Sequence, residues 1–320
     1  LAAETNKAYR ITKEEKSRQR IAMWKRVKQD RVLYLILLVP IIYLIIFKYV
    51  PMAGNVLAFR KFKIGGSMFG VEWQGLKYFK LFITDSTFWD VFSNTLLLSV
   101  LNLVFGFPIP IILALLLNEL KNKTGKRVVQ TITYLPKFLS TVVVVSMLQT
   151  LLSPSTGAIN VFLNKLGLES IYFLNISAWF RPVYIISDIW QFMGWNSILY
   201  LTALTNVDPQ LYEAAAIDGA GRWKQTLHVT IPGILPTIVI TLILSTGSVL
   251  SVGFEKVLLL YTSNTMDVAD VISTYTYRMG IVNSQYSYTT AVGLFQGVIN
   301  LIIISFVNHI SRKTTETSLW

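Results

Sequence analysis

The sequence predicts an all-α membrane protein with six transmembrane helices and both termini in the cytoplasm. Three observations predict it. The 320-residue chain is 53% apolar and only 14% charged, whereas soluble domains are about a quarter charged. Six apolar runs, at 32–47, 91–117, 128–152, 183–204, 233–253 and 288–308, suit a hydrocarbon core of ~30 Å that needs about 20 helical residues. Lys and Arg are unevenly divided. The segments 1–31, 118–127, 205–232 and 309–320 hold 18 of them, against 10 in 48–90, 153–182 and 254–287. Basic residues mark the cytoplasmic side.

Residues 1–31 read as a basic cytoplasmic arm, with ten Lys or Arg against four acidic residues. Ile21, Met23, Trp24 and Val27 among Arg20, Lys25, Arg26 and Lys28 predict that part of it is an amphipathic helix on the inner leaflet. Residues 1–10 read equally as a disordered tail. The formal charge of +12 concentrates in this arm. Its nearest anionic partner is therefore the lipid membrane, and no nucleic acid is expected. No small-x-small cleavage site follows Phe47, which argues against a cleaved signal peptide.

Residues 32–48 predict a peripheral first helix, short enough to borrow flanking residues. Residues 49–90 form the longest outer loop, punctuated by Gly65, Gly66, Gly70 and Gly75. Trp73, Tyr78, Phe79, Phe82 and Phe88 give that loop apolar surface to pack on the membrane domain. Residues 91–308 predict a core of five helices. Pro108 and Pro110 kink the first of them. Pro136-Lys137 predicts a bent, interfacial start to the next, with Lys137 snorkelling to the cytoplasmic side. Residues 309–320 are a cytoplasmic tail.

Several chemistries lack their residues. There is no cysteine, hence no disulfide framework or thiol metal site. His228 and His309 have no ligand spacing. No GxxxxGK[ST] phosphate loop, HExxH or nucleophile elbow occurs. Asp188 is the only acidic residue inside a predicted span, and ion-driven carriers usually hold more. The chain therefore reads as no enzyme, with no catalytic residue, metal or cofactor of its own, that takes its energy from a partner. The competing classes are an ion-coupled secondary carrier and a membrane enzyme acting on lipid or polysaccharide.

The polar segment 208–232 lies between two apolar runs on the cytoplasmic side. Asp208-Pro209 is a helix start, an Asx cap followed by proline at the first helical position. Ala214, Ala215 and Ala216 favour helix and leave a face without bulk. Gly219 and Gly221 end or bend that helix. Arg222–Thr230 predicts a second short helix stopped by Pro232 and Pro236. Such a helix–glycine–helix protrusion suits a protein partner. Its plain alternative is an interhelical loop with an accidental alanine run.

The pattern resembles the EAA loop of ABC importer permeases: Glu213, Ala214, Ala215, a glycine six positions on at Gly219, then Val229, Ile231 and Pro232. Val229 stands where isoleucine is common. The extended form, with Asp218 and Ala220, is similar to the carbohydrate-uptake branch. The resemblance to these permeases extends to Gly157–Asn160 and Trp190, and the end, from Gly253-Phe254-Glu255-Lys256 through Asp270–Tyr275 to Ser318–Trp320, is similar to permeases for poly- and oligosaccharides such as alginate and aldouronates. The resemblance implies an ABC type I importer permease fold in the bacterial cytoplasmic (inner) membrane. It implies a second homologous permease subunit as heterodimer partner, two cytoplasmic ATPase subunits that bind ATP and Mg, and an extracytoplasmic solute-binding protein. It also implies an oligosaccharide substrate. The ATPase-coupling residues would be Glu213, Ala214, Ala215, Asp218, Gly219, Arg222 and Trp223.

A sugar pathway needs hydrogen-bonding groups and aromatic faces inside the membrane domain. Gln191 and Trp195 share a helix face with Asp188, with Asn196 at its edge. Gln296 and Asn300 share another with Thr289. We read Gln191, Trp195, Asn196, Gln296 and Asn300 as substrate-pathway candidates. Ser245 and Ser248 read as helix-packing groups, the role such residues often have in membranes. The outer loops carry ten basic and seven acidic residues, a mouth that favours an acidic sugar. A free Asp188 carboxylate would repel one, so Asp188 is expected to be paired, protonated or turned to a neighbouring helix.

Overall fold

The computed structural model describes Lys25, residues 29–315 and residues 318–319. The amphipathic helix expected around Trp24 and the tail at 1–10 lie outside the described residues. Four continuous helices are long and apolar enough to cross a membrane: Arg31–Ala58, Ser86–Glu119, Arg222–Gly247 and Tyr286–Lys313. A bent pair, Lys123–Phe138 and Thr141–Leu151, makes a fifth crossing if taken as one element. The helix Ser177–Leu204 has 28 residues, ~42 Å at 1.5 Å per residue. Arg181, Asp188, Gln191 and Asn196 leave it too polar to stand out as a lipid-facing span.

Three boundaries differ from the sequence expectation, each for a backbone reason. The first helix does not stop near Phe47. It passes through a π-helical turn, Ile45–Tyr49, and carries Pro51 in the turn that follows. A widened turn shifts the bonding partners, so the missing N–H of proline leaves no gap. Pro232 and Pro236 likewise do not end the segment that starts at Arg222. A π-helical turn at Thr226–Thr230 precedes them, and the Ile231 N–H bonds to the Thr226 carbonyl. The helix then runs unbroken to Gly247. The third apolar run, by contrast, is not one straight crossing. Its two helical segments, Lys123–Phe138 and Thr141–Leu151, meet at 103°, with the break at Leu139-Ser140 just after the 3-10 turn that holds Pro136. Thr141–Leu151 has 11 residues, only ~16 Å.

Before Pro108, the site of the expected kink, the chain forms a π-helical turn within the continuous helix Ser86–Glu119. Asn102–Gly106 is a wide turn closed by the Phe107 N–H on the Asn102 carbonyl at 3.2 Å.

Ser177–Leu204 is the hub, packed against Pro108–Glu119, Lys123–Tyr134 and Ile231–Gly247. Gly194 lets the bent segment approach it. A Cβ there would lie 2.1 Å from the Thr133 carbonyl oxygen. Gln191 adds a bond to the Leu139 carbonyl at 3.2 Å. The helix end near Leu204 packs with Ala114, Tyr200 and Ile234. Its other half packs with Leu98, Val145, Val257 and Leu260.

Residues 49–90 fold on the helical domain through their aromatics. Strands β1 (Arg60–Lys61) and β2 (Glu72–Trp73) pair antiparallel, Arg60 opposite Trp73. The helix Lys77–Ile83 follows. Phe82 is fully buried, 4.7 Å from the Phe88 ring and 5.2 Å from Phe295. Ser287 ties the hairpin to the last helix through the Arg60 carbonyl and Phe62 N–H. The Gly157–Asn160 motif is structural: buried Asn160 bonds both the N–H and carbonyl of Ile171. In the isolated chain every residue from Arg31 to Ala53 is exposed.

Candidate coupling loop and translocation cavity

The protruding loop forms as its residues dictate. Asp208 caps the helix Pro209–Ile217 by accepting from the Gln210 N–H at 2.9 Å. Gly219 ends it with φ of +76°. The Ala220 N–H bonds the Ala215 carbonyl at 2.8 Å, and the Gly219 N–H bonds Ala216 at 3.1 Å. This crossed pair satisfies the last helical carbonyls and needs a left-handed residue at 219. Gly221 then precedes Arg222, where the second arm starts. The arms are tied by Gln225 Nε2 to the Ala220 carbonyl at 2.9 Å and by the Tyr212 hydroxyl to Thr230 at 3.1 Å.

Of the coupling candidates, Glu213, Ala214, Asp218, Gly219, Arg222 and Trp223 are exposed, and Ala215 is half-buried. Trp223 is 75% exposed and Ile217 86%. Neither side chain is held by this chain's own core. Arg222 reaches Glu119 at 3.8 Å, both exposed, a weak pair on geometry alone.

Above the loop, a cavity of about 630 Å³ opens between Ser86–Glu119, Ser177–Leu204 and the segment from Thr241 to Gly253. Of the pathway candidates, Trp195 and Asn196 line it. Trp195 is 46% exposed, with its ring edge-on to Phe138 at 5.9 Å. Gln191 is buried and bonded to the bend, away from the lining. Gln296 bonds the Leu250 carbonyl, and the Asn300 amide oxygen accepts from the Leu250 N–H at 3.4 Å. These two brace the chain just after the break at Gly247.

Ser245 and Ser248 do line the cavity, although each also bonds back along its own helix. Lys137 sits over the ring of cavity-lining Phe192, 4.3 Å from its centroid.

Sequence reasoning missed Asn102, which also lines the cavity. Its signal was an amide in the apolar stretch Val100–Ile112. Gly106 makes room for it: a Cβ at 106 would lie 2.4 Å from the Asn102 side-chain oxygen. Asp188, also in the wall, is paired as expected. Its Oδ1 is 3.2 Å from Lys256 Nζ, and its Oδ2 accepts from Asn102 Nδ2 at 3.4 Å. Lys256 is 5% exposed. Burial pulls its ammonium below the ordinary lysine range, and the Asp188 carboxylate opposes that shift.

Comparison with known proteins places these features. Residues 106–316 match the family model described as "Binding-protein-dependent transport system inner membrane component". The polygalacturonan/rhamnogalacturonan transport system permease protein YteP of Bacillus subtilis is 45% identical over 310 residues, 97% of this chain and 96% of that one. Protein LplB of the same organism is 43% identical, with 94% of each chain covered. A chain in the crystal structure of a bacterial alginate ABC transporter, in complex with an alginate pentasaccharide-bound periplasmic protein, is 44% identical. It superposes with a TM-score of 0.85 over 92% of this chain and 99% of that chain. The chain belongs to the family of binding-protein-dependent transport system inner membrane components.

Proposed function

We propose that this chain is one membrane subunit of an ATP-driven importer that carries an oligosaccharide, acidic in character, across the bacterial cytoplasmic membrane. The chain crosses six times, with both termini and the 208–232 loop in the cytoplasm. The bent pair and the polar Ser177–Leu204 helix supply the two crossings beyond the four apolar ones. A second, homologous permease completes the pathway, and a solute-binding protein delivers the sugar from outside. Two ATPase subunits grip Glu213–Gly219 and Arg222-Trp223. This chain has no ATP site of its own and acts as a lever.

One observation carries the reading. The second arm of the loop and the fifth crossing are a single helix, Arg222–Gly247, and that helix places Thr241, Leu244 and Ser245 in the cavity wall. A displacement at Trp223 is thereby carried to the sugar path without passing through a flexible joint. ATP binding shifts the inward–outward equilibrium only if the ATPases hold the loop more tightly in one state. The capped, glycine-terminated helix gives them a firm surface to hold. The acidic preference is supported by two likenesses, to an alginate transporter and to a polygalacturonan permease, and by the basic excess of the outer loops.

The test is uptake of an oligogalacturonate into proteoliposomes holding the assembled importer. The account expects transport that needs both internal ATP and the binding protein and ignores imposed ion gradients. Uptake by this chain alone under a proton or sodium gradient would replace it with the secondary-carrier reading.

A further inference from the structure

Among the described residues, Asp188 is the only charged one that lines the cavity. Its carboxylate is therefore the charge in the wall nearest a passing sugar, with the Lys137 ammonium one ring behind it, over Phe192. Asp188 lies near the middle of Ser177–Leu204. A bare carboxylate there would repel a uronate. Two charges about 8 Å apart, at an effective dielectric of about 20, disfavour each other by more than about tenfold in occupancy.

The carboxylate is not bare. Lys256 reaches it from the short helix Phe254–Leu260, behind the cavity wall. Its ammonium lies 3.2 Å from Oδ1, with the Tyr184 ring centroid 5.1 Å away. The Asn102 amide contacts the other oxygen at 3.4 Å, within the room left by Gly106. Lys256 is absent from the lining itself and is almost fully buried. It acts on the cavity only through Asp188.

We propose that Lys256 is a specificity-determining residue, whose pairing with Asp188 makes the cavity wall electrically neutral and so passable to an acidic saccharide. The inference rests on the acidic-oligosaccharide reading above. It assigns the pair a role beyond joining two helices. A clamp needs both partners present, whereas a neutral wall needs only that their charges cancel.

That difference sets the experiment. The assembled importer, with its binding protein, is reconstituted as wild type, Lys256→Gln, Asp188→Asn and the double variant Asp188→Asn/Lys256→Gln. Oligogalacturonate uptake and ATP hydrolysis are measured together. Lys256→Gln leaves a net negative wall, and its uptake should fall at least about tenfold. The deficit should shrink as salt is raised, because the cavity is open to solvent ions. The double variant has a neutral wall and should recover to within about threefold of wild type, although the clamp is gone. Asp188→Asn leaves a positive wall and should retain uptake. It also keeps the proposal testable if Lys256→Gln alone does not assemble.

Wild-type uptake in Lys256→Gln, or a double variant as impaired as Lys256→Gln, would overturn the charge role and leave a structural clamp. Failure of the wild type itself to import oligogalacturonate, while it imports a neutral oligosaccharide, would instead overturn the acidic reading and this inference with it.

Discussion

Residues 208–230 make their defining bonds within about 20 positions of one another, whereas the cavity draws its wall from residues as distant as Asn102, Asp188 and Gly253. The loop is an autonomous local shape. An Asx cap opens it, a left-handed glycine closes its first helix, Ile217 and Trp223 point outward, and Tyr212 and Val229 seat it on the core. The cavity has no local signature. It exists only because a π-helical turn at Asn102–Gly106, a break after Gly247 and a 103° bend bring three segments to one place. The contrast teaches where each activity is vulnerable. The loop should fail through its backbone, the cavity through individual side chains and their charges.

The sharpest attempt to break the contrast is at Gly219. A Cβ there meets nothing within 4 Å, so the penalty in the isolated chain is conformational. Valine in the left-handed region costs about 1–2 kcal/mol. That is enough to unravel the two crossed bonds and misplace Trp223. Gly219→Val should cut binding-protein-stimulated ATP hydrolysis at least about tenfold while leaving membrane insertion and basal hydrolysis intact. Wild-type stimulation would remove the loop from the coupling path.

Trp195→Ala should act in the opposite sense. Stacking of a sugar on an exposed indole belongs to the cavity alone, so uptake should drop severalfold with stimulated hydrolysis preserved. Equal loss of both would show that the two regions are not separable.

Gln296→Ala sharpens the boundary between pathway and scaffold. Its amide satisfies the Leu250 carbonyl, and an orphaned buried carbonyl costs roughly 1–3 kcal/mol. Thermal stability of the complex should fall, while the transport remaining keeps its substrate affinity. A changed affinity at unchanged stability would return Gln296 to the sugar path.

The smallest effect is expected at Asp208→Ala. Loss of one helix cap costs about 1 kcal/mol, visible as faster amide exchange over Pro209–Ile217 and a mild loss of stimulation. No change in exchange would mean that packing, not the cap, holds the loop.

Legibility in the sequence follows the same division. Asp208, Pro209, the alanine run and Gly219 announced the loop because capping chemistry is local. The aromatic cluster of residues 49–90 was legible too, since Phe82 and Phe88 had to bury somewhere. The reach of the helices through Pro51, Pro232 and Pro236 was not. A π-helical turn re-registers the backbone bonds just before Pro51 and Pro232, Pro236 sits within the α-helix that follows, and no side-chain pattern marks these turns. Shared helix faces placed Gln191, Gln296 and Asn300 near polar neighbours but could not tell a cavity from a carbonyl in need of a donor. Ser245 and Ser248 show the converse, since the break after Gly247 exposes groups that the apolar run around them would bury. Asp188 was expected to be paired, protonated or turned to a neighbouring helix; its partner Lys256 lies 68 positions away and no local signal names it.

The absence of native cysteine makes the central claim, that the 208–232 loop is where the ATPases hold this chain, open to a clean measurement. Single cysteines at Ile217 and at Gly66 are introduced into otherwise native complexes and treated with a short cysteine-to-lysine crosslinker. The account predicts a covalent adduct between this chain and an ATPase subunit from position 217, none from position 66, and a change in the 217 yield when ATP is bound. An ATPase adduct from position 66, or none from position 217 in a complex that still hydrolyses ATP on stimulation, would contradict it.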